Sequence, residues 1–261
     1  MPRLVGIGTR AAGLAALRSV RSRDPHAPVS LIAAEWHAPD SRIMLTYLLA
    51  GKTGLEHLPL EGPDWYDQMG VRALTGRRAV AIDTRHRQVV TEDATSGRRA
   101  ERVPFDRLLI ATGAAAQRPD LTGMDLPGVF CLRDLDDATA ILRYLNVAAS
   151  GCRGAHAAFL GGGPVCVQAM TALASRDMKV SLLVRSRAVF SQLADPHTAS
   201  LAEKVLRANG VRTIKDIEVS GIERRGTSDR QVPPLIVHTS RGSPLSADLV
   251  IVGKGTQPNA E

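Results

Sequence analysis

Two glycine-containing turns are the segments of this sequence best suited to chemistry. The first lies in VGIGTRAAGLAAL, which starts at Val5, and the second lies in FLGGGPVCVQA, which starts at Phe159. In each segment an apolar run leads into glycines and then into a helix-forming stretch. This pattern is typical of a dinucleotide site, where backbone N–H groups and the start of the helix hold a pyrophosphate.

The first turn lacks one of the three glycines that such a site uses. Gly8 permits the tight bend and Gly13 allows close helix packing, but Arg10 stands where the second glycine would admit the pyrophosphate. The guanidinium could obstruct the phosphates or pair with them. Glu35 follows the next predicted strand and is placed to accept ribose hydroxyls. The alternative is a turn that binds nothing.

The second turn has Gly161 and Gly163 at its first two glycine positions and Cys166 at the third. We interpret this cysteine as a small packing residue, with a redox thiol as the alternative. The ribose-binding position after the next strand holds no acid and is followed by Arg185 and Arg187. Two guanidiniums could accept a 2′-phosphate, which favours NADPH over NADH. The alternative is that they end an exposed strand.

Both turns belong to a repeated pattern of strand, turn, helix and strand. The first copy has a predicted strand over Val5–Gly8 and a helix over Ala11–Arg21, and the second copy starts at Ala157. The pattern predicts two doubly wound, Rossmann-like α/β domains, each with a parallel sheet. Between them, DLDDATAILRYL predicts a helix capped by Asp134 or Asp136.

Composition argues against several classes of function. The chain is 44% hydrophobic, but its apolar runs are too short to span a bilayer. Its net charge is +7, yet the arginines are scattered and aromatic residues are few, so a nucleic-acid partner is not expected.

The cysteines and histidines do not have the spacing of a metal site. Cys131, Cys152 and Cys166 form no C-x-x-C pair, and no two histidines have H-x-x-x-H spacing. This usage predicts a reducing, cytoplasmic location. The first acidic residue is Asp24, which leaves a transit peptide as an alternative, although strand, turn and helix explain the same residues better.

Six motifs in order carry a family resemblance. They are IGTRAAGLAAL, AEWHAPDSRIMLTYLLAGK, FDRLLIATGA, LPGVFCLRDLDDA, LGGGPVCVQA and DLVIVGKGTQPN. The set covers essentially the whole chain and resembles the FAD-dependent pyridine nucleotide–disulfide oxidoreductases. Within that family it is most similar to the flavin portion of nitrite reductase large subunits, with rubredoxin and ferredoxin reductases nearby.

The resemblance implies two cofactor sites in separate domains. Residues 1–121 would bind FAD, residues 122–254 would bind NAD(P)H, and residues 255–261 would begin a return to the FAD domain. Hydride would pass from nicotinamide to flavin, with Arg42 and Gln168 orienting the rings, because in such enzymes the protein positions cofactors that do the chemistry.

The turn patterns and the resemblance together give the candidate cofactor-binding residues. For FAD they are Gly8, Arg10, Gly13, Glu35, Arg42, Ala79, Ala111, Thr112 and Gly113. For NAD(P)H they are Gly161, Gly163, Gln168, Arg185 and Arg187, and Arg133 is a further cofactor-binding residue.

Three departures from the family pattern limit what the resemblance implies. Ile43 stands where disulfide- and peroxide-reducing relatives have a cysteine, so disulfide, CoA-disulfide or peroxide reduction is not expected. Gln168 replaces a usual glutamate, so an ion pair beside the flavin would become an Arg42–Gln168 contact. The sequence also stops before the second FAD segment and the interface domain of relatives, so a partner chain could supply the segment.

Two functions follow from these features. The first is an NAD(P)H-dependent flavoprotein reductase that passes electrons to an unidentified redox-protein acceptor. The alternative is a shortened, non-catalytic nucleotide-binding or assembly module of the same family, since ancestry alone does not establish activity.

Overall fold

A computed structural model describes residues 1–148, 154–224 and 234–260. In chain order the strands are β1 (Leu4–Ile7), β2 (Val29–Ile32), β3 (Val71–Leu74), β4 (Arg77–Asp83), β5 (Gln88–Asp93), β6 (Arg99–Pro104), β7 (Arg107–Ile110), β8 (Ala114–Ala116), β9 (Val129–Phe130), β10 (His156–Leu160), β11 (Lys179–Leu183), β12 (Val211–Ile214), β13 (Val219–Arg224), β14 (Leu235–Thr239), β15 (Leu245–Ala247), β16 (Leu249–Val252) and β17 (Thr256–Pro258). The helices are α1 (Ala11–Arg23), α2 (Leu45–Leu49), α3 (Trp65–Gln68), α4 (Leu135–Ala148), α5 (Pro164–Ala174) and α6 (Pro196–Ala208).

The chain divides into two compact units. Unit 1 comprises Met1–Ser41, Leu58–Ala114 and the residues from Pro258 onward. Unit 2 comprises Arg42–His57 and Ala115–Gln257.

Unit 1 contains a four-stranded parallel sheet in the order β3-β2-β1-β7. Helix α1 joins β1 to β2 and buries Gly13, Leu14 and Leu17. An antiparallel sheet of β4, β5 and β6 packs against the parallel sheet, with Val89 and Val103 buried in one apolar cluster with β1 residues. The result places the Gly8 turn at the carboxyl end of a central parallel strand, which is the usual position of a ligand in such sheets.

Unit 2 repeats this arrangement with a five-stranded parallel sheet in the order β12-β11-β10-β16-β9. Helix α5 follows β10, and a second sheet consists of β13, β14 and β15. The short helix α2 packs against α4 and α5, and Arg176 Nη1 donates to the Leu49 carbonyl at 3.2 Å. These contacts place the segment 42–57 in unit 2.

The structure confirms two α/β units with parallel sheets. Two details differ from expectation. The segment APVSLIAAE predicts a strand ending in Glu35, but β2 ends at Ile32. The segment MLTYLLAGK predicts a helix, but it forms only the short helix α2 after a 3-10 turn over Arg42–Met44. The sequence interpretation missed β6, whose composition, RAERVP, has no apolar alternation. Asp134, rather than Asp136, caps α4.

Residues 42–57 fall in unit 2 and the residues from Pro258 onward fall in unit 1. The cofactor-domain boundaries at residues 121 and 254, which the resemblance implied, stay a prediction. The nucleotide bound by each part stays a prediction. In the described ranges, no helix has the length and apolar character needed to cross a membrane.

Candidate dinucleotide-binding sites

The first turn is closely packed at both of its glycines. Gly8 follows β1 with φ +103°, and a Cβ there would overlap the carbonyl oxygen of Ala111. A Cβ at Gly13 would overlap the carbonyl oxygen of Gly8. The turn therefore requires glycine at these two positions, as the sequence pattern predicted, because backbone from β1, α1 and the end of β7 meets there.

Arg10 occupies the second glycine position without backbone strain. It flanks the first residue of α1 with φ −94° and ψ −168°, which is extended backbone open to any residue. Its side chain turns to Glu35: Nε donates to Oε1 at 3.1 Å, and Nη2 also contacts that oxygen. Glu35, which we expected to accept ribose hydroxyls, is thus hydrogen-bonded by Arg10, which we expected to lie beside the pyrophosphate.

A further acid lies beside this ion pair. The Asp40 side chain is 6% exposed, and its Oδ1 lies 3.6 Å from His37 Nδ1. Burial raises the pKa of Asp40, and the nearby charges of His37 and Arg10 oppose that rise. Among the described residues, Asp40 Oδ2 and His37 Nε2 are buried with no hydrogen-bond partner. Buried polar atoms without partners are uncommon, and a polar ligand would satisfy them.

The other predicted FAD residues of unit 1 lie on two elements. Ala79 is in β4 next to a register shift and packs against the cluster around Val5. Ala111, Thr112 and Gly113 follow β7 directly.

The returning chain holds the segment after β7 in place. Asn259 N donates to the Gly113 carbonyl at 3.0 Å, and its Nδ2 donates to the Thr112 carbonyl at 3.0 Å. Asn259 lies in the motif DLVIVGKGTQPN, and its contacts with this segment are not evident from the sequence. The residue lies far from Thr112 in sequence, so only its position in the family motif could have indicated it.

The second turn has the same geometry in unit 2. Gly161 has φ +122°, and a Cβ there would overlap the Gly253 carbonyl at the end of β16. Gly163 flanks α5 with φ −78° and ψ 168°, and its missing Cβ would contact nothing within 4 Å. Space for a ligand is therefore left open at Gly163.

Cys166 is a packing residue. It is buried, and burial raises the pKa of its thiol to about 12, so little reactive thiolate forms. Cys131 is also buried, and burial raises the pKa of its thiol. Cys152 lies outside the described residues. Across the described ranges, no three His, Cys, Asp or Glu side chains are grouped to hold a metal ion.

The helices of both turns begin without a side-chain cap. Neither Arg10 nor Gly163 bonds the first backbone N–H groups of its helix, and neither first turn contains an acid. In contrast, Asp195 accepts hydrogen bonds at the start of α6 from His197 N and Thr198 N, at 2.9 and 3.1 Å. Uncapped N–H groups at a helix start are suited to a phosphate.

Two predicted NAD(P)H residues have acids beside them. Arg185 Nη1 lies 3.8 Å from Glu218 Oε1, and Arg187 Nε lies 3.9 Å from Asp216 Oδ1. The sequence argument for NADPH found no carboxylate at this position, but the loop after β12 brings two. Both arginines are exposed, so these pairs are weak and the preference for NADPH stays a prediction.

The remaining predicted residues lie in unit 2. Arg42 lies in the 3-10 turn before α2, and its Nε is buried with no partner among the described residues. Gln168 is exposed on α5, and no hydrogen bond joins it to Arg42 in the described part of the chain. Arg133 precedes α4, where its backbone N–H donates to Asp137 at 2.7 Å. The orienting role of Arg42 and Gln168 stays a prediction.

Comparison with known proteins agrees with this arrangement. The model of the family described as pyridine nucleotide-disulphide oxidoreductase matches residues 2–261. The chain belongs to this family. Its members are FAD-dependent NAD(P)H oxidoreductases, so the resemblance inferred from six motifs is confirmed.

Two sequence relatives and one solved structure show what share of each protein this chain matches. The assimilatory nitrate reductase electron transfer subunit of Bacillus subtilis (strain 168) is 28% identical over 260 residues, which are 99% of this chain and 31% of that protein. The NAD(P)H nitrite reductase of the same organism is 26% identical over 258 residues, which are 98% and 30%. A crystal structure of the covalent putidaredoxin reductase–putidaredoxin complex matches with a TM-score of 0.86 and 26% identity, covering 99% of this chain and 59% of that one.

The chain therefore spans about a third of the length of these two sequence relatives. Both of its glycine turns have the backbone geometry described above, and the first differs because Arg10 is hydrogen-bonded to Glu35.

Proposed function

We propose that this chain is the nucleotide-binding part of an NAD(P)H-dependent flavoprotein reductase that supplies electrons to a redox protein. The observation that carries the proposal is the pair of uncapped helix starts, each behind a close-packed glycine turn at the carboxyl end of a parallel sheet. Two such sites in one chain suit an enzyme that uses two dinucleotides.

Unit 1 would bind FAD. The N–H groups at the start of α1 would bind its pyrophosphate, Glu35 would accept ribose hydroxyls once Arg10 releases it, and Thr112 and Gly113 would line the flavin. The buried Asp40 Oδ2, which has no hydrogen-bond partner among the described residues, supports a polar ligand at this place. When bound, flavin accepts hydride from a reduced nicotinamide and passes electrons on singly or in pairs.

Unit 2 would bind NAD(P)H. The start of α5 would hold its pyrophosphate, and Arg185 and Arg187 would lie near the adenosine ribose. Arg42 and Gln168 would orient the rings. No side chain is needed as a general base, because hydride transfer needs orientation rather than proton abstraction.

The electron acceptor would be a protein. The relatives include an electron transfer subunit and a reductase crystallised with putidaredoxin. A redox-protein acceptor for this chain stays a proposal, as does its cytoplasmic location.

The Arg10–Glu35 bond also favours a second candidate, a module that binds a pyridine dinucleotide but no flavin. A salt bridge at the ribose-binding acid would compete with FAD for Glu35.

One experiment separates the two. The purified chain is supplied with FAD, freed of excess, and titrated with NADPH and NADH without oxygen while absorbance near the flavin maximum is followed. Retained flavin that bleaches supports the reductase. Dinucleotide binding without retained flavin would replace it with the module, and failure to bind either nucleotide would refute both.

A further inference from the structure

A cleft of about 310 Å³ lies in front of the second turn. The described residues that line it come from the turn, the loop after β11 and the segment after β16, and they include Gly162, Gly163, Pro164, Ser186 and Lys254. Among these residues, Lys254 has the one ionisable side chain. The sequence interpretation did not select it.

The position of Lys254 is fixed by close packing at its preceding residue. A Cβ at Gly253 would overlap Cys166 Sγ, and the Gly253 carbonyl fills the space that a Cβ of Gly161 would need. The backbone after β16 therefore lies directly against the turn and the first part of α5. Lys254 follows at once, on the edge of the sheet where the ligand of such a fold binds.

The charge of Lys254 lacks a close partner. Within the described part of the chain, its ammonium has no hydrogen bond and no carboxylate within 4 Å. Partial burial lowers the pKa of Lys254, the positive charge of Arg185 lowers it further, and Glu218 opposes this effect. The exposed Lys254 ammonium lies near the Arg185 charge and an uncapped helix start, so the local potential is positive, which favours an anionic ligand.

We propose that Lys254 binds the diphosphate of the pyridine dinucleotide, together with the N–H groups at the start of α5. This inference rests on the proposed function of unit 2 and adds a residue to it. The diphosphate is favoured over a 2′-phosphate because Lys254 shares its cleft with Gly162, Gly163 and Pro164, whereas Arg185 and Arg187 do not line it.

The test measures nucleotide affinity by calorimetry on the full chain and three variants. Lys254→Gln removes the charge, Lys254→Arg retains it, and Lys204→Gln removes an exposed charge on α6 as a matched control. The ligands are ADP, adenosine, NADH and NADPH. Thermal melting without ligand establishes that each variant is folded.

Lys254→Gln should weaken ADP, NADH and NADPH alike by about tenfold, because a charge-assisted hydrogen bond contributes on that order. Adenosine should bind as before, Lys254→Arg should retain most of the affinity, and Lys204→Gln should have no effect. Unchanged ADP binding, or a loss confined to NADPH, would overturn the diphosphate assignment while leaving the proposed function intact. A wild-type chain that binds none of the dinucleotides would overturn both.

Discussion

The two glycine turns have the same backbone but differ at two of their three key positions. Arg10 and Gly163 flank α1 and α5 with similar extended angles, so glycine at this position is not needed for the fold. In the proposed nucleotide sites, glycine there would leave room for the ligand. Arg10 can therefore replace glycine without disturbing the backbone of unit 1, and we expect the consequence to fall on the proposed nucleotide site.

The third position shows a reciprocal exchange. In unit 1 the small residue is Gly13 and the strand end facing it contains Ala111, whose Cβ would lie 4.0 Å from a Cβ at Gly13. In unit 2 the helix has Cys166, and the matching strand end has Gly253, which leaves room for the thiol. The helix therefore packs closely on the strand in both units, through Gly13 and Ala111 in unit 1 and through Cys166 and Gly253 in unit 2. A pattern that counts glycines in one segment cannot detect this compensation.

The largest expected effect tests this exchange. Gly253→Ala should lower the free energy of unfolding by about 1–3 kcal/mol, because the new Cβ overlaps Cys166 Sγ. Adding Cys166→Ala should restore much of the loss, since the new Cβ would lie 3.7 Å from the Cβ of residue 166. Urea unfolding measures both, with Gly163→Ala as the control at an open position. A double variant no more stable than Gly253→Ala would refute the exchange.

The next effect concerns the open N-terminus of α5. Gly163→Asp should lower NADPH affinity tenfold or more, because its carboxylate would bond the N–H groups and repel the pyrophosphate. The melting temperature should stay the same or rise slightly. Gly163→Ala adds only a methyl group and provides the comparison. Equal NADPH affinity in the Asp and Ala variants would show that the pyrophosphate does not bind at this helix.

A smaller change is expected at the first turn. Arg10→Gly should tighten FAD binding severalfold, because it frees Glu35 for the ribose hydroxyls and opens the second glycine position. Flavin fluorescence quenching measures the affinity. Glu35→Gln, which also breaks the ion pair, should weaken FAD binding instead. Weaker binding in Arg10→Gly would identify Arg10 as a ligand of the phosphates.

The smallest expected effect is a pH dependence of stability at the start of α4, which has a side-chain cap, unlike α1 and α5. In α4, Asp134 accepts from Asp137 N at 3.1 Å, while Asp137 accepts from Arg133 N at 2.7 Å. Burial, reinforced by the charge of Asp134, raises the pKa of Asp137 from 3.8 to about 6. The folded state then binds the proton more tightly than the unfolded state. This carboxyl therefore stabilises the fold below its unfolded pKa, and that stability is lost as pH rises through about 6.

Asp137→Asn should remove the loss of unfolding free energy that the wild type shows as pH rises through about 6. Urea unfolding at several pH values between 4 and 7 should give a less negative slope of unfolding free energy in the variant than in the wild type. Asp64→Asn, which removes an exposed carboxyl in unit 1, supplies the control. Identical slopes in the wild type and Asp137→Asn would contradict the raised pKa.

The sequence predicted the elements whose signals are local. An apolar run ending at Gly8 or Gly161 and followed by a small-residue helix needs only neighbours in the chain to form, so both turns and both parallel sheets were predicted correctly. The helix start at Asp134 was also visible, because capping acts within one turn. Elements that depend on distant partners were harder to predict. The sequence of β6 has little strand signal, and this strand pairs with β5. The short helix α2 packs against α4 and α5.

The fold, the family and the two glycine turns could be predicted from the sequence, because they follow from local spacing of glycine and apolar residues and from motifs in order. The contacts that surround the two turns depend on the tertiary structure. Arg10 is hydrogen-bonded to Glu35. Glu218 and Asp216 lie beside Arg185 and Arg187, respectively. Lys254 lines the same cleft as Gly163. Each of these contacts joins residues on different strands or loops. Electrostatic neighbours depend on distance in space, which local spacing does not encode.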